Sequence, residues 1–182
     1  EDQICCAIMP HILGSPAPIS SWDLDIPVIE DCAMALGAKV AGQEVGRGSD
    51  ISIFSFYATK VISTGQGGAL LLGNDSEAAD LRDRLQYDNR ESYRPCWNYP
   101  MPDLAASLGL PQLLALDGLL EKRAAIAAQL ERVCQQHSIG TQQVLEDCQA
   151  NHFRFTLLLK DLAERDALMR HLSAAKIESK PP

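Results

Sequence analysis

"GSDISIFSFYATKVISTGQGGALLL", residues 48–72, is the stretch that sets the fold. Within it, 51–56 is a run of β-branched, aromatic and small residues, the composition of a strand. The polar segment Tyr57-Ala58-Thr59-Lys60 breaks that run. Gly65-Gln66-Gly67-Gly68 reads as a turn, and 69–72 as a further apolar strand. Upstream, Ile26-Pro27-Val28-Ile29 is another short strand, stopped by Glu30-Asp31, and residues 4–9 are one more. Short, wholly apolar strands belong in the interior of a sheet, most often a parallel one. Between them, 32–37 is rich in small and apolar residues and ends at Gly37, which predicts a short helix with a glycine cap. Residues 39–48 carry three glycines and read as a small hairpin or loop.

Downstream the pattern becomes helical. A helix is expected over 75–87, capped by Asp75 or Ser76. Residues 88–102 hold three prolines and read as loop. Asp103 is placed as the cap of the next helix, and Pro111 as the point where a helix restarts. From 112 to 136, Leu113, Leu116, Leu120, Ala124, Ala127 and Leu130 recur at helical spacing, giving a long amphipathic helix. A strand over 153–159 and a helix over 162–174 complete an α/β chain.

The 182 residues suffice for one domain plus part of a second. A net charge of −8 with no basic stripe argues against nucleic-acid binding. No apolar run approaches a membrane span, and Glu1-Asp2-Gln3 does not open a signal peptide. None of the six cysteines forms a CxxC pair. Free thiols in a reducing cytoplasm are the expectation. Cys148 and His152 are too few ligands to make a metal site, so no metal is assigned.

Three polar residues mark strand ends: Asp31, Ser55 and, five residues later, Lys60. If their strands are parallel neighbours, these groups share one sheet edge, where open α/β sheets bind ligands. An amine, a carboxylate and a hydroxyl match the needs of pyridoxal 5'-phosphate (PLP): a partner for the aldehyde, a counter-charge for the pyridinium and a donor to the phosphate. Taken singly, each has an ordinary alternative as surface lysine, helix cap or turn serine.

The residues themselves resemble a family. "IPVIEDCAMALGA" (26–38), "GSDISIFSFYATKVISTGQGGALLL" (48–72) and "WNYPMPDLAASLGLPQLLALDGLLEKR" (97–123) look like successive blocks of the DegT/DnrJ/EryC1/StrS aminotransferases, and "PHILG" (10–14) is similar to an earlier, weaker block. The resemblance implies a fold-type-I architecture. Residues 1–110 would be part of the large, mainly parallel-sheet PLP domain. Residues 111–182 would be the long linking helix and an incomplete small C-terminal α/β domain, in a chain whose relatives run longer at both ends.

It further implies that Lys60 is catalytic and holds the cofactor. Asp31 would face the pyridinium, Ser55 the phosphate, and Met34 the ring. Asn98 would reach the phosphate of a partner subunit, so a homodimer is implied. The implied activity is transfer of an amino group from glutamate or a similar donor to a keto sugar nucleotide. The alternative is a non-catalytic or truncated relative with a binding or regulatory role. Related sugar dehydratases carry histidine at the lysine position, so Lys60 argues against that activity. Three positions depart from the family pattern: Met34 replaces Gln or His and cannot donate a hydrogen bond, Gln66 replaces Glu, and Pro100 stands near a usual arginine.

Overall fold

The computed structural model describes residues 4–22, 24–88, 90, 91 and 93–181. Glu1-Asp2-Gln3, and residues 89 and 92 of the expected 88–102 loop, lie outside them. The chain first forms β1 (Ala7–Pro10) and β2 (Val28–Asp31), then the hairpin strands β3 (Lys39–Val40) and β4 (Gln43–Glu44), then β5 (Ile51–Ser55) and β6 (Gly68–Leu72). The principal sheet has the order β1-β2-β5-β6. β1, β2 and β5 are parallel, and β6 returns antiparallel to β5 through the glycine turn.

Two strands sit further along the chain than their apolar runs predict. Pairing between β1 and β2 starts where Pro27, which has no N–H to give, accepts the Ala7 N–H at 2.9 Å. β2 therefore ends on Asp31, which is the last residue of the strand and not the first beyond it. Register decides the two faces. Met9, Glu30, Ser52 and Leu71 form one row, and Pro10, Asp31, Ile53 and Leu70 form the next row on the opposite face.

The face carrying Glu30 and Ser52 is the buried one. Cys32, Ala35, Ala38 and Val45 make its core, with Val40 and Phe54 packed against them. The segment 32–37 is a succession of turns, not the predicted helix. Asp31 Oδ1 accepts the Ala33 N–H at 2.9 Å. The Asn151 amide takes the carbonyls of Met34 and Leu36, both at 3.0 Å, which removes the acceptors a helix would use.

Three helices follow: α1 (Asp75–Leu85), α2 (Asp103–Leu114) and α3 (Leu116–Gln136). Asn74 caps α1, accepting the Ser76 N–H at 2.9 Å. α2 runs through Pro111, losing one N–H, and breaks at Ala115, whose φ of −97° and ψ of 7° leave the helical region. After α3 come β7 (Gly140–Thr141), β8 (Cys148–Gln149), β9 (Leu157–Leu158) and α4 (Leu162–Ala174). β8 pairs with β3, and β7 with β9. The predicted strand over 153–159 shortens to β9. Its first residues are bound elsewhere: the Phe153 N–H donates to Asn151 Oδ1 and the Arg154 N–H to the Leu13 carbonyl.

The chain divides into two compact units. One comprises Glu1–Ala125 with Val144–Arg154, and holds the principal sheet. The other comprises Ile126–Gln143 with Phe155–Pro182, and holds β7, β9 and α4. Among the described residues, no single helix is long and apolar enough to cross a membrane.

Candidate functional site

Asp31 closes β2 and Ser55 closes β5. Asp31 is the register partner of Ile53, and Ser55 lies two residues beyond Ile53, so both side chains fall on the same face. One strand spacing and two residues of rise separate their backbones by about 8 Å. Both stand at the carboxyl ends of parallel strands, where α/β sheets take ligands. That face is open: Ile8 and Leu70, which share it, are 63% and 53% exposed.

Each predicted group on this edge has unspent bonding capacity. Asp31 Oδ1 holds the Ala33 N–H, while its other carboxylate oxygen has no partner among the described residues. Ser55 Oγ accepts a long hydrogen bond from the Tyr57 N–H, 3.3 Å, and donates none among the described residues. Lys60 follows within one turn, its N–H bonded to the Tyr57 carbonyl at 2.9 Å. Its Nζ lies over the Phe153 ring, 5.2 Å from the centroid, a cation–π contact. That ammonium makes no ion pair among the described residues. A carboxylate, a hydroxyl and an amine with spare valences are the donor set that a phosphorylated pyridine aldehyde requires, so the residues present fit PLP.

The other two predicted residues stand differently. Met34 is half-buried in the turn after β2, its carbonyl bound to Asn151. Asn98 is exposed on the loop before α2, and its side chain makes no hydrogen bond among the described residues. The structure therefore brings Asp31 and Ser55 onto one face, with Lys60 one turn past Ser55, and bonds Asn98 to none of them.

Sequence reasoning missed three supports. The first is Asn151, buried at 3% exposure. Its amide ties the turn after Asp31 to residues 151–153, and its N–H donates to the Gly14 carbonyl at 3.1 Å. Phe153 is thereby set against Lys60. Gly14 is required there: its φ is +88°, and a Cβ would collide with Asn151 Oδ1 and the Phe153 backbone.

The second is a buried knot on the opposite face. His11 Nδ1 accepts the Ala17 N–H at 2.9 Å, so the ring hydrogen is on Nε2, aimed at Glu30 Oε1 2.8 Å away. Gly46 N–H donates to the same oxygen at 2.8 Å, and Ser49 Oγ to the other at 3.0 Å. Burial pushes the Glu30 carboxyl up, but the bonds from His11, Gly46 and Ser49 outweigh it and hold the group below the usual carboxylate range. Burial, with Glu30 and Asp31 nearby, pushes the Cys32 thiol far above its usual range. His11, Glu30 and Cys32 are close enough to hold a metal ion. In the structure the His11 and Glu30 donors meet each other in the hydrogen-bond knot. A polar pair spaced across two apolar strands, His11 and Glu30, was the sequence signal for it.

The third support fastens the loop that carries Asn98. Arg94 bridges Asp80 and Asp83, both at 2.6 Å, and Arg90 joins Asp83 at 2.7 Å. The Trp97 N–H donates to the Arg84 carbonyl at 2.9 Å. Arg84 also donates to Asp80 at 2.6 Å; hydrogen bonds from Arg84 and then Arg94 hold Asp80 below the usual carboxylate range, and one from Arg90, with the charges of Arg90 and Arg94, does the same for Asp83.

A mainly parallel sheet with a carboxylate and a hydroxyl at one carboxyl edge, and a lysine in the turn that follows, matches the α/β architecture of the fold-type-I aminotransferase class. The family model described as "DegT/DnrJ/EryC1/StrS aminotransferase family" matches residues 4–181, and the chain belongs to that family. It is similar to the GDP-perosamine synthase of Escherichia coli O157:H7, with 32% identity over 94% of this chain and 50% of that protein. Among solved structures it is similar to S. venezuelae DesV, at 28% identity and a TM-score of 0.83, covering 95% of this chain and 48% of that one. The E. coli GDP-4-keto-6-deoxy-D-mannose-3-dehydratase has a TM-score of 0.85 at 19% identity, covering 100% of this chain and 54% of that one, a likeness of fold. The chain spans about half the length of the curated relatives it matches.

Proposed function

We propose that the chain is part of a PLP-dependent aminotransferase that moves an amino group from an amino-acid donor, glutamate or similar, to a keto group on a nucleotide-linked sugar. The observation that carries this is the common open face of Asp31 and Ser55, with Lys60 one turn beyond. Bound PLP supplies an electron sink at the donor's α-carbon. Asp31, through its free carboxylate oxygen, keeps the ring nitrogen protonated. Ser55 Oγ–H would donate to the phosphate, and Lys60 Nζ, which makes no ion pair among the described residues, would hold the cofactor and carry a proton at the donor's α-carbon. Met34 would stand beside the ring with no hydrogen bond to give it. The similarity to GDP-perosamine synthases supports a GDP-linked keto sugar as the acceptor class.

Asn98 serves the phosphate of a second copy in a homodimer. Leu104 and Leu114 of α2, 77% and 82% exposed, support burial of that helix in such an assembly. Residues 1–110 belong to the large cofactor domain and 111–182 to the linking helix and the small domain. Six free cysteines support a cytoplasmic setting.

The test is spectroscopic. Purified full-length protein mixed with PLP is expected to acquire the visible band of a lysine-bound cofactor, and Lys60→Ala to lack it. Glutamate is expected to bleach the band. A full-length wild-type protein that never shows the band refutes the reading.

A further inference from the structure

Lys60 stands in a loop whose base is closed by three hydrogen bonds. The Phe56 N–H donates to the Gly67 carbonyl at 2.9 Å, the Thr64 N–H to the Phe56 carbonyl at 2.9 Å, and Thr64 Oγ1 to the Gln66 carbonyl at 2.8 Å. These bonds fix residues 56 and 64–67. The Ser63 hydroxyl, three residues from Lys60, accepts the Gly65 N–H at 3.1 Å, but the Ser63 backbone N–H and carbonyl find no partner within the loop among the described residues. One side chain from far along the chain supplies it. Gln112 Oε1 accepts the Ser63 N–H at 3.0 Å, and Gln112 Nε2 donates to the Ser63 carbonyl at 2.8 Å. The amide thus pairs with Ser63 as a neighbouring strand would, across 49 positions of sequence. Its remaining N–H goes to the Leu108 carbonyl at 2.6 Å, so the group is fully committed.

α2 is seated close enough for this contact by Gly109, which precedes Gln112 on the same helix face. A Cβ at Gly109 would come within 2.8 Å of Thr64 Cγ2. Only glutamine matches the task. Asparagine is one carbon short, glutamate offers no N–H, and lysine offers no acceptor.

We propose that Gln112 is the positioning residue of the Lys60 loop: its amide bracket on Ser63 fixes the loop so that the Lys60 amine is held at the sheet edge shared by Asp31 and Ser55. The inference rests on the functional reading above for the role of Lys60, but the bracket itself has an independent readout.

The experiment compares Gln112→Ala and Gln112→Glu with wild type in the full chain. Backbone amide exchange is measured across 57–64, with 51–55 as internal reference. In parallel, the rate of Lys60 capture is measured by PLP followed by borohydride reduction and peptide mass analysis. Gln112→Ala removes both hydrogen bonds to Ser63, along with the one to the Leu108 carbonyl, and is expected to speed exchange at 57–64 by roughly tenfold. Exchange at 51–55 is expected to hold, and Lys60 capture to slow. Gln112→Glu keeps the acceptor for the Ser63 N–H but sets a carboxylate oxygen against the Ser63 carbonyl. Its loop protection is expected to recover at acidic pH, where a protonated carboxyl again donates. The proposal is overturned if Gln112→Ala leaves exchange at 57–64 at the wild-type level, or raises it equally at 51–55. Absence of capture at wild-type Lys60 defeats the functional reading instead, and the exchange comparison still decides the bracket.

Discussion

Replacing Glu30 by glutamine tests the buried knot beneath the sheet. The wild-type carboxylate receives His11 Nε2–H and Gly46 N–H on one oxygen, both at 2.8 Å, and Ser49 Oγ–H on the other at 3.0 Å, with Ser52 Oγ 3.5 Å away. The residue is 4% exposed, so water does not compensate a loss. In Glu30→Gln the amide oxygen takes the two fixed N–H donors. The new NH2 faces two hydroxyls that can turn toward the Ile51 and Gly46 carbonyls, which they already contact at 3.0 and 2.9 Å. Every partner is therefore still satisfied, and what disappears is the charge assistance. That is worth about 1 kcal/mol for each of two N–H bonds, or about 2 kcal/mol in all. Glu30→Ala instead orphans the His11 and Gly46 donors and opens a void, and is expected to cost about 4 kcal/mol or more.

The sign of the pH dependence follows from the folded-state carboxyl lying below its unfolded value. Its stabilisation is complete above the unfolded pKa and is lost as pH falls through the folded one. Glu30→Gln should therefore unfold earlier in urea near neutrality, yet lose less stability than wild type on acidification. Tryptophan-monitored urea unfolding at a series of pH values measures both. Equal midpoints at neutral pH together with identical acid limbs would show that the carboxylate's charge contributes nothing.

Gly14→Ala should destabilise the first unit by about 2 kcal/mol or more, because it combines a left-handed backbone with a clash against Asn151; thermal unfolding measures it, and Gly42→Ala, also at positive φ but with open space around its Cβ, should cost less. Arg94→Ala should leave global unfolding unchanged while speeding amide exchange at Trp97, and added salt should reproduce part of that effect in wild type, as expected for exposed ion pairs.

Much of the sheet was legible because its signals are local. The apolar runs at 51–56 and 69–72, split by glycines, became β5 and β6, and 162–174 became α4. The parallel pairing of β1, β2 and β5 followed from their apolar character. The failures share a cause: long-range side chains overrode local preference. The segment 32–37 has helical composition, yet Asn151, more than a hundred residues away, claims its carbonyls. The strand expected over 153–159 loses its start to the same residue and to Leu13. For the site, residue type and strand-end position sufficed to select Asp31, Ser55 and Lys60. Gln112 and Phe153 were invisible as site neighbours, since a glutamine in an apolar helix and a phenylalanine before a strand carry no mark of the loop they meet. The restart expected at Pro111 failed because losing one N–H does not end a helix whose neighbouring turns stay bonded.

Among the described residues β6 leaves one edge unpaired, and Leu70 and Leu71, on its two opposite faces, are 53% and 49% exposed. An uncharged Gly-Ala-Leu-Leu-Leu strand with a free edge and half-exposed leucines is a template for adhesion between molecules. A preparation in which that border stays uncovered is expected to self-associate as its concentration rises.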